Sequence, residues 1–147
     1  MLYIGADHRG FALKEELKKH LVKTGYEFQD LGAFQFDKED DYVDFAQAVA
    51  EKVSADPENN NGILICGSGH GMDMVANKYK GVRAALGFNE KVAVQSREHE
   101  NSNVLVIASD WVDQEMASVI AVSWLKTKFS GEERHLRRLQ KIKELEK

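Results

Sequence analysis

The chain has few residues from which a disulfide or a membrane span could be built. Its 147 residues include a single cysteine, Cys66, and a single proline. One cysteine forms no intramolecular disulfide, so the chain does not resemble a secreted disulfide scaffold. No stretch approaches the ~20 apolar residues of a membrane-spanning helix, and the first apolar run is too short for a signal peptide. These absences favour a soluble cytoplasmic protein.

An excess of positive charge is also lacking. Lysine and arginine together number 20 against 24 acidic residues, which gives a formal net charge of −4. This balance argues against a general attraction to nucleic acid or to an anionic membrane, so an anionic ligand would need a local cluster of cations. The length suits one domain rather than two, and we predict a single domain over residues 1–147.

Short apolar runs alternate with segments of helical length. The runs are Leu2 to Ala6, Gly62 to Cys66, Val82 to Leu86 and Val104 to Ala108, with a further strand near Tyr26 to Leu31. Helical spacing recurs between them, first over about Gly10 to Thr24, and a charged helix is expected over about 131–147, packed on the core or on a partner subunit. The alternation predicts an α/β fold of βαβ units with about five strands and about six helices.

Polar residues follow three of the predicted strands. Asp7-His-Arg9 follows the first, the glycine-rich turn Cys66–Gly71 follows the third, and Asn89 follows the fourth. Ligands of open parallel sheets bind beyond the carboxyl ends of the strands. We therefore expect these groups to share one pocket.

The turn over residues 67–71 leads into a helix predicted to begin near Met72, so backbone N–H groups would face the pocket. It lacks the Lys-Ser/Thr pair of a P-loop, and its spacing fits neither a dinucleotide fingerprint, a phosphatase loop nor a G-x-S-x-G elbow. Many such turns are only tight strand-to-helix connections. This one suits an anion.

Cys66 ends an apolar run, where a lone cysteine is more often an inert core residue. A thiol beside a helix N-terminus can have its pKa lowered from about 8.5 toward neutrality. In that environment the thiol becomes a usable base or nucleophile. We predict that Cys66 belongs to the reactive class.

The histidines and arginines give two further indications. The five histidines show no metal-ligand spacing, so we predict no metal site. His99 lies in a polar stretch before a strand, where helix capping is as plausible a role as chemistry. Arg134 and Arg138 would share one helix face and could clamp a phosphate dianion.

Several segments, in order along nearly the whole chain, match the motifs of one known family. They are Gly5-Ala-Asp-His-Arg-Gly-Phe11, Gly62-Ile-Leu-Ile-Cys-Gly-Ser-Gly69 continuing to Met72, Ala76-Asn-Lys78, Gly81-Val-Arg-Ala-Ala85, Ser96-Arg-Glu-His99, Asn103-Val-Leu105 and Arg134-His135-x-x-Arg138. In these segments the chain resembles ribose-5-phosphate isomerase B and, more widely, the subunits of galactose-6-phosphate isomerase.

The resemblance implies a Rossmann-like three-layer fold with a five-stranded parallel sheet, and a homodimer or dimer of dimers with active sites at the interface. It also implies that no cofactor is used. Cys66 would be the base that moves a proton between C1 and C2, with Ser68 in the anion hole for the enediolate. His99 would open the sugar ring. The remaining implied site residues are Asp7 among the catalytic groups and, in substrate binding, His8, Tyr42, Gly67, Gly69, His70, Gly71, Glu100, Arg134 and Arg138.

The chain departs from the family pattern at positions that bear on the substrate. Glu100 stands where the family usually has Asn, Asp110 where it commonly has Arg, and His70 where it usually has an aliphatic residue. The two acidic residues add negative charge near a phosphosugar. We therefore predict an aldose-ketose isomerase, with ribose 5-phosphate and ribulose 5-phosphate the first pair to test. The alternatives are an isomerase of a six-carbon or unphosphorylated aldose and a non-catalytic phosphosugar-binding homologue.

Overall fold

A computed structural model of the chain describes residues 1–146 and contains a five-stranded parallel sheet. The strands are β1 (Leu2–Ala6), β2 (Gln29–Asp30), β3 (Asn61–Cys66), β4 (Ala84–Leu86) and β5 (Val104–Ala108). They lie in the order β2-β1-β3-β5-β4, with every pair parallel. The predicted Rossmann-like α/β class is confirmed.

The helices cover both faces of the sheet. They are α1 (Phe11–Lys23), α2 (Tyr42–Ala55), α3 (His70–Ala76), α4 (Glu90–Glu100), α5 (Gln114–Lys126) and α6 (Glu133–Leu145). One core cluster joins α1, α4 and α5 to one face, and a second joins α2 and α3 to the other. Helix α6 contacts α4 and buries His135 alone among its described side chains.

The alternation of side chains along the central strands builds these two cores. In β3, Ile63 and Ile65 face the first cluster, whereas Leu64 and Cys66 face the second. Successive side chains of a strand point to opposite faces, and a parallel sheet covered on both faces requires apolar residues at every position. This explains why β3 reads as a continuous apolar run.

The bounds of four elements differ from the sequence expectation. The second strand keeps only Gln29–Asp30, because Tyr26 and Phe28 pack against the core as irregular chain before the edge strand begins. Strand β4 begins at Ala84, and α3 begins at His70 rather than near Met72. Helix α6 occupies Glu133–Leu145 of the predicted 131–147, and Lys147 lies outside the described residues.

The strand order places a topological switch point between β1 and β3, at the carboxyl edge of the sheet. Strands β1 and β3 are neighbours, but α1 after β1 packs on one face and α3 after β3 packs on the other. Chains that leave adjacent strands toward opposite faces open a switch-point crevice at the carboxyl ends, where ligands of such sheets bind. In the described part of the chain, no helix combines the length and apolarity needed to cross a membrane.

Candidate active site

Three loops are tied together at the carboxyl edge of the sheet. The backbone N–H of Ser109 donates to the carbonyl of Cys66 at 2.9 Å, and that of Asp110 donates to the carbonyl of Gly67 at 3.0 Å. The Ser109 hydroxyl donates to the carbonyl of Arg9 at 2.9 Å. The loops after β1, β3 and β5 therefore form one surface. Asn89, expected in the same pocket, instead caps α4 by accepting from the Val92 N–H at 2.9 Å.

The thiol of Cys66 is buried at the end of β3, directly beneath the glycine turn. The backbone N–H of Gly69 donates to Cys66 Sγ at 3.2 Å, and the N–H of His70 donates to Ser68 Oγ at 3.4 Å. Gly69 has a φ of 81°, a left-handed conformation that glycine adopts without steric cost. This residue lets the chain turn from β3 into α3 and directs its N–H at the sulfur.

The glycine turn does not bring the pKa of the Cys66 thiol below its ordinary value. Burial raises the pKa of the Cys66 thiol above its ordinary value. The hydrogen bond from Gly69 and the positive charge of Arg9 act in the opposite direction, but they do not outweigh burial and the nearby Asp7 charge. The desolvation of a thiolate on a buried strand end therefore exceeds the stabilisation that this turn provides.

Asp7 and His8 lie at the end of β1, beside the thiol. Asp7 is 4 % exposed and accepts from the Gly10 N–H at 3.0 Å, and burial raises the pKa of its carboxyl. His8 Nδ1 lies 2.6 Å from Asp40 Oδ1, which also accepts from the His8 backbone N–H at 3.0 Å. Asp40 thus fixes the orientation of the His8 ring. The sequence analysis missed Asp40, because an acidic residue in a charged loop is indistinguishable there from a solvated one.

Asp7, His8 and Asp40 also form a group that could hold a metal ion. Their candidate ligand atoms lie within 4.8 Å of one another. The short contact between His8 and Asp40 accounts for much of this proximity, because it occupies the His8 Nδ1 that would otherwise be free to bind a metal. The arrangement is that of an oriented imidazole beside a buried carboxyl.

Tyr42 is the predicted site residue that approaches the glycine turn from α2. It follows the N-cap Asp41, whose carboxylate accepts from the Val43 N–H at 3.0 Å. A Cβ built on Gly71 would overlap the Tyr42 ring, so the ring rests directly on the turn. His70 is exposed, and its charge lowers the pKa of Asp73 against the effect of burial, which places it near Asp73.

The remaining predicted residues lie at the opposite edge of the sheet. His99 and Glu100 form the end of α4, where Asn101 provides the C-cap. Nearby, Arg97 Nη1 donates to the side chain of Asn61 at 3.2 Å, and Asn61 is the first residue of β3. Because β3 ends at Cys66 and each strand residue rises about 3.3 Å, roughly 17 Å separates the two edges. The structure does not bring His99 together with Cys66 in one chain.

This opposite edge carries an array of basic side chains with few partners. The rings of His99 and His135 stack with centroids 4.5 Å apart and an interplanar angle of 17°. His135 is 3 % exposed, yet neither ring nitrogen has a hydrogen-bond partner among residues 1–146. Arg134 contacts Glu132 at 2.9 Å, and Arg138 lies one turn further along α6. The predicted phosphate clamp therefore stands beside His99.

Glu100 and Asp110, the two acidic residues that differ from the family pattern, have different surroundings. Glu100 lines a groove of about 790 Å³ between α6 and the segment that leads into β4, at the edge opposite Cys66. Asp110 forms an ion pair with Arg9, so it does not stand as an isolated negative charge beside the glycine turn. The sequence analysis missed this pairing, which joins residues that are 101 positions apart.

The fold and the carboxyl edge define a class: a Rossmann-like α/β protein whose switch point brings together a buried thiol, a glycine turn and an oriented histidine as a candidate small-molecule site. Residues 2–142 match the model of the family described as Ribose/Galactose Isomerase. The chain belongs to this family, as the sequence motifs predicted.

Individual relatives are similar to this chain in sequence and in fold. The probable ribose-5-phosphate isomerase B of Mycoplasma genitalium is 44 % identical over 99 % of this chain and 95 % of its own. The ribose-5-phosphate isomerase B of Mycobacterium tuberculosis is 38 % identical over 99 % of this chain and 90 % of its own. The crystal structure of the Mycoplasma genitalium enzyme with bound ribulose-5-phosphate has a TM-score of 0.94 at 44 % identity, covering 97 % of this chain and 93 % of that one.

Proposed function

We propose that this protein interconverts ribose 5-phosphate and ribulose 5-phosphate. The observation that carries the proposal is the Cys66 thiol held under the Gly69 N–H, at the switch point of a chain similar to ribose-5-phosphate isomerase B throughout its length. Aldose-ketose isomerisation needs a base beside a carbonyl and preorganised donors where the enediolate charge develops. Both kinds of group stand together at this edge.

In the proposed mechanism Cys66 acts as a thiolate base. It takes the proton from C2 of the open-chain aldose and returns it to C1, while the proton on O2 passes to O1. The backbone N–H groups of the Gly67–Gly71 turn, with Ser68, stabilise the enediolate oxygens between the two transfers. Asp7 and His8 hold the sugar hydroxyls, and the Tyr42 ring closes the pocket over the turn. The step moves protons only, so atoms and electrons balance without a redox partner.

Turnover by the purified chain tests this proposal. Cys66→Ala should lower kcat by about 10²–10⁴-fold, the usual contribution of a positioned base, without loss of folded structure. The assay uses ribose 5-phosphate without added metal, and Cys66→Ser serves as the isosteric control. A native chain active only on a six-carbon or unphosphorylated aldose would assign a different substrate. A chain that binds phosphosugars but turns over none would identify a binding homologue.

We further propose that the working form is a homodimer, or a dimer of dimers, with a site shared between two copies. Within one chain His99, Arg134 and Arg138 lie too far from Cys66 to act with it, so a second copy would have to supply them. The carboxyl edge also exposes large apolar side chains that a partner would cover, Trp111 at 76 % and Phe88 at 55 %. Symmetric dimers offer the same patch twice, which yields two equivalent shared sites.

Subunit complementation tests the shared site. Cys66→Ala and His99→Ala chains, each inactive alone, are unfolded together and refolded as an equal mixture. If the two residues come from different chains, each mixed dimer has one intact site, and about a quarter of native activity returns. No recovery, despite mixed dimers shown by mass spectrometry, would place both residues in one chain.

A cytoplasmic location and a single domain over residues 1–147 complete the proposal. The sole cysteine must stay a free thiol to act as a base, and the reducing cytoplasm maintains thiols in that state. The two core clusters share one sheet, which supports a single folding unit.

A further inference from the structure

Arg9 and Asp110 form a charged bridge across the glycine turn. Arg9 follows β1, Asp110 follows β5, and the Arg9 guanidinium pairs with the Asp110 carboxylate. A Cβ built on Gly67 would overlap the guanidinium, so the cation lies directly on the turn that follows Cys66. The backbone on both sides is fixed, because the Asp110 N–H donates to the Gly67 carbonyl at 3.0 Å and Ser109 Oγ donates to the Arg9 carbonyl at 2.9 Å.

The guanidinium is oriented but far from saturated. Its side chain is 52 % exposed, and only Nη2 has a hydrogen-bond partner within residues 1–146. Nε and Nη1 of Arg9 are free to donate to a ligand at the mouth of the crevice. A planar guanidinium with adjacent free N–H groups matches the oxygens of a phosphate, which it binds in a bidentate manner.

The other cations at this edge are already engaged or face elsewhere. Lys14 Nζ is buried and donates to Asp30 and to the Ala33 carbonyl. His8 is paired with Asp40, and His70 lies by Asp73. Since the whole chain carries a formal charge of −4, an anion here needs a local cation. Within one chain, Arg9 is the arginine that lies beside Cys66, because its guanidinium rests on Gly67, the next residue.

We propose that Arg9 is a phosphate-recognition residue of this site, and that Asp110 is a positioning residue that holds the guanidinium over the glycine turn. The proposal rests on the proposed function and adds a residue that selects the phosphorylated substrate. It also explains how an acidic residue is tolerated beside a phosphosugar, because the ion pair with Arg9 neutralises the negative charge of Asp110.

Kinetics with two substrates test the role of Arg9. Arg9→Gln should raise KM for ribose 5-phosphate, and Ki for inorganic phosphate, by roughly tenfold or more, the usual effect of losing a charged hydrogen bond. The kcat should change much less, and so should kcat/KM for unphosphorylated ribose. Arg9→Lys should recover part of the loss. Asp110→Asn should raise the KM for ribose 5-phosphate by a smaller factor, because it removes the carboxylate that holds the Arg9 guanidinium but keeps the guanidinium itself.

A matched variant controls for the loss of one positive charge. Lys19→Gln removes an exposed cation of α1 that pairs with Glu16. It should leave unchanged the KM for ribose 5-phosphate and the Ki for inorganic phosphate. Equal losses of kcat/KM for ribose and ribose 5-phosphate in Arg9→Gln would overturn the proposal and make the ion pair a structural tie. An unchanged Ki for inorganic phosphate would overturn it as well.

A binding assay separates this inference from the proposed activity. Inorganic phosphate should protect Cys66 of the native chain from alkylation by iodoacetamide, and Arg9→Gln should need roughly tenfold more phosphate for the same protection. The native chain could be protected by phosphate yet turn over no ribose 5-phosphate, while Arg9→Gln has lost the protection. That result would refute the isomerase activity and support the phosphate site. Protection identical in both chains would refute the phosphate site alone.

Discussion

The two edges of the sheet differ in how completely their large buried polar side chains are hydrogen-bonded. At the carboxyl edge Lys14 is fully buried, yet its ammonium donates to Asp30 at 2.7 Å and to the Ala33 carbonyl at 2.6 Å. At the other edge His135 is almost as buried, and both of its ring nitrogens lack partners within the described chain. A buried polar group without a partner costs free energy that a paired one recovers. Among the described residues, one buried side-chain atom at the carboxyl edge lacks a partner, Asp40 Oδ2, whereas at the other edge both ring nitrogens of His135 lack one.

The difference supports the proposed division of the candidate site between two copies of the chain. The carboxyl edge holds the thiol, the glycine turn and the oriented His8, each fixed by neighbours in the same chain. The edge at α6 presents His99, Arg134 and Arg138 with weak local support, as expected of groups that meet their partners only in a complex. Stability measurements can test this comparison directly, because the two edges predict effects of opposite sign.

The largest expected effect comes from breaking the satisfied edge. Lys14→Met should lower the free energy of unfolding by about 1–3 kcal/mol, because it removes one of the two ammonium groups that pair with Asp30 and leaves the buried Ala33 carbonyl without this donor. Urea denaturation measures the change. Lys19→Met, at a 72 % exposed side chain, should cost at most about 1 kcal/mol. Equal losses of unfolding free energy in the two variants would mean that the buried ion pair of Lys14 stabilises the fold no more than the exposed pair of Lys19.

A smaller effect of opposite sign is expected at the other edge. His135→Phe should raise the free energy of unfolding by about 1 kcal/mol, because it removes a buried polar group that has no partner and keeps an aromatic ring against His99. Thermal denaturation at constant protein concentration measures it, with the α1 residue His20→Gln as the neutral control. A clear loss of stability would show that His135 is hydrogen-bonded in the assembled protein.

The pH dependence of the thiol sharpens the comparison further. The thiolate is the reactive form, and burial raises the thiol pKa, so reactivity should be low at neutral pH and should rise through a midpoint above that of an ordinary cysteine. Iodoacetamide alkylation against pH gives this midpoint. Asp7→Asn removes a negative charge that raises the thiol pKa, so it should move the midpoint down. Asp73→Asn, which removes a carboxylate of α3, should leave the midpoint unchanged.

Much of this architecture could be predicted from the chain. The runs that became β1, β3 and β5 are apolar at nearly every position, which a parallel sheet covered on both faces requires. The second strand was predicted too long because Tyr26 and Phe28 have strand-like side chains and nevertheless pack as irregular chain. Such an outcome depends on tertiary contacts that a local pattern does not contain.

The candidate site could be predicted in its residues more than in its arrangement. Cys66 and its glycine turn stand in one short segment, so their association follows from the sequence. The pairing of Arg9 with Asp110 and the orienting of His8 by Asp40 join distant positions, and charge alone does not reveal them. The direction of the shift in the thiol pKa could not be predicted from the sequence, because burial, a property of the folded core, outweighs the local hydrogen bond.

The place of β3 at the middle of the sheet has a consequence for motion. Its backbone is bonded on both sides, by β1 and by β5, so its amides should be among the last to exchange with solvent deuterium, and only through global unfolding. Cys66 is the final residue of that strand. The sulfur is therefore anchored to one of the least fluctuating parts of the molecule, so the base should keep its position while the surface loops around it move.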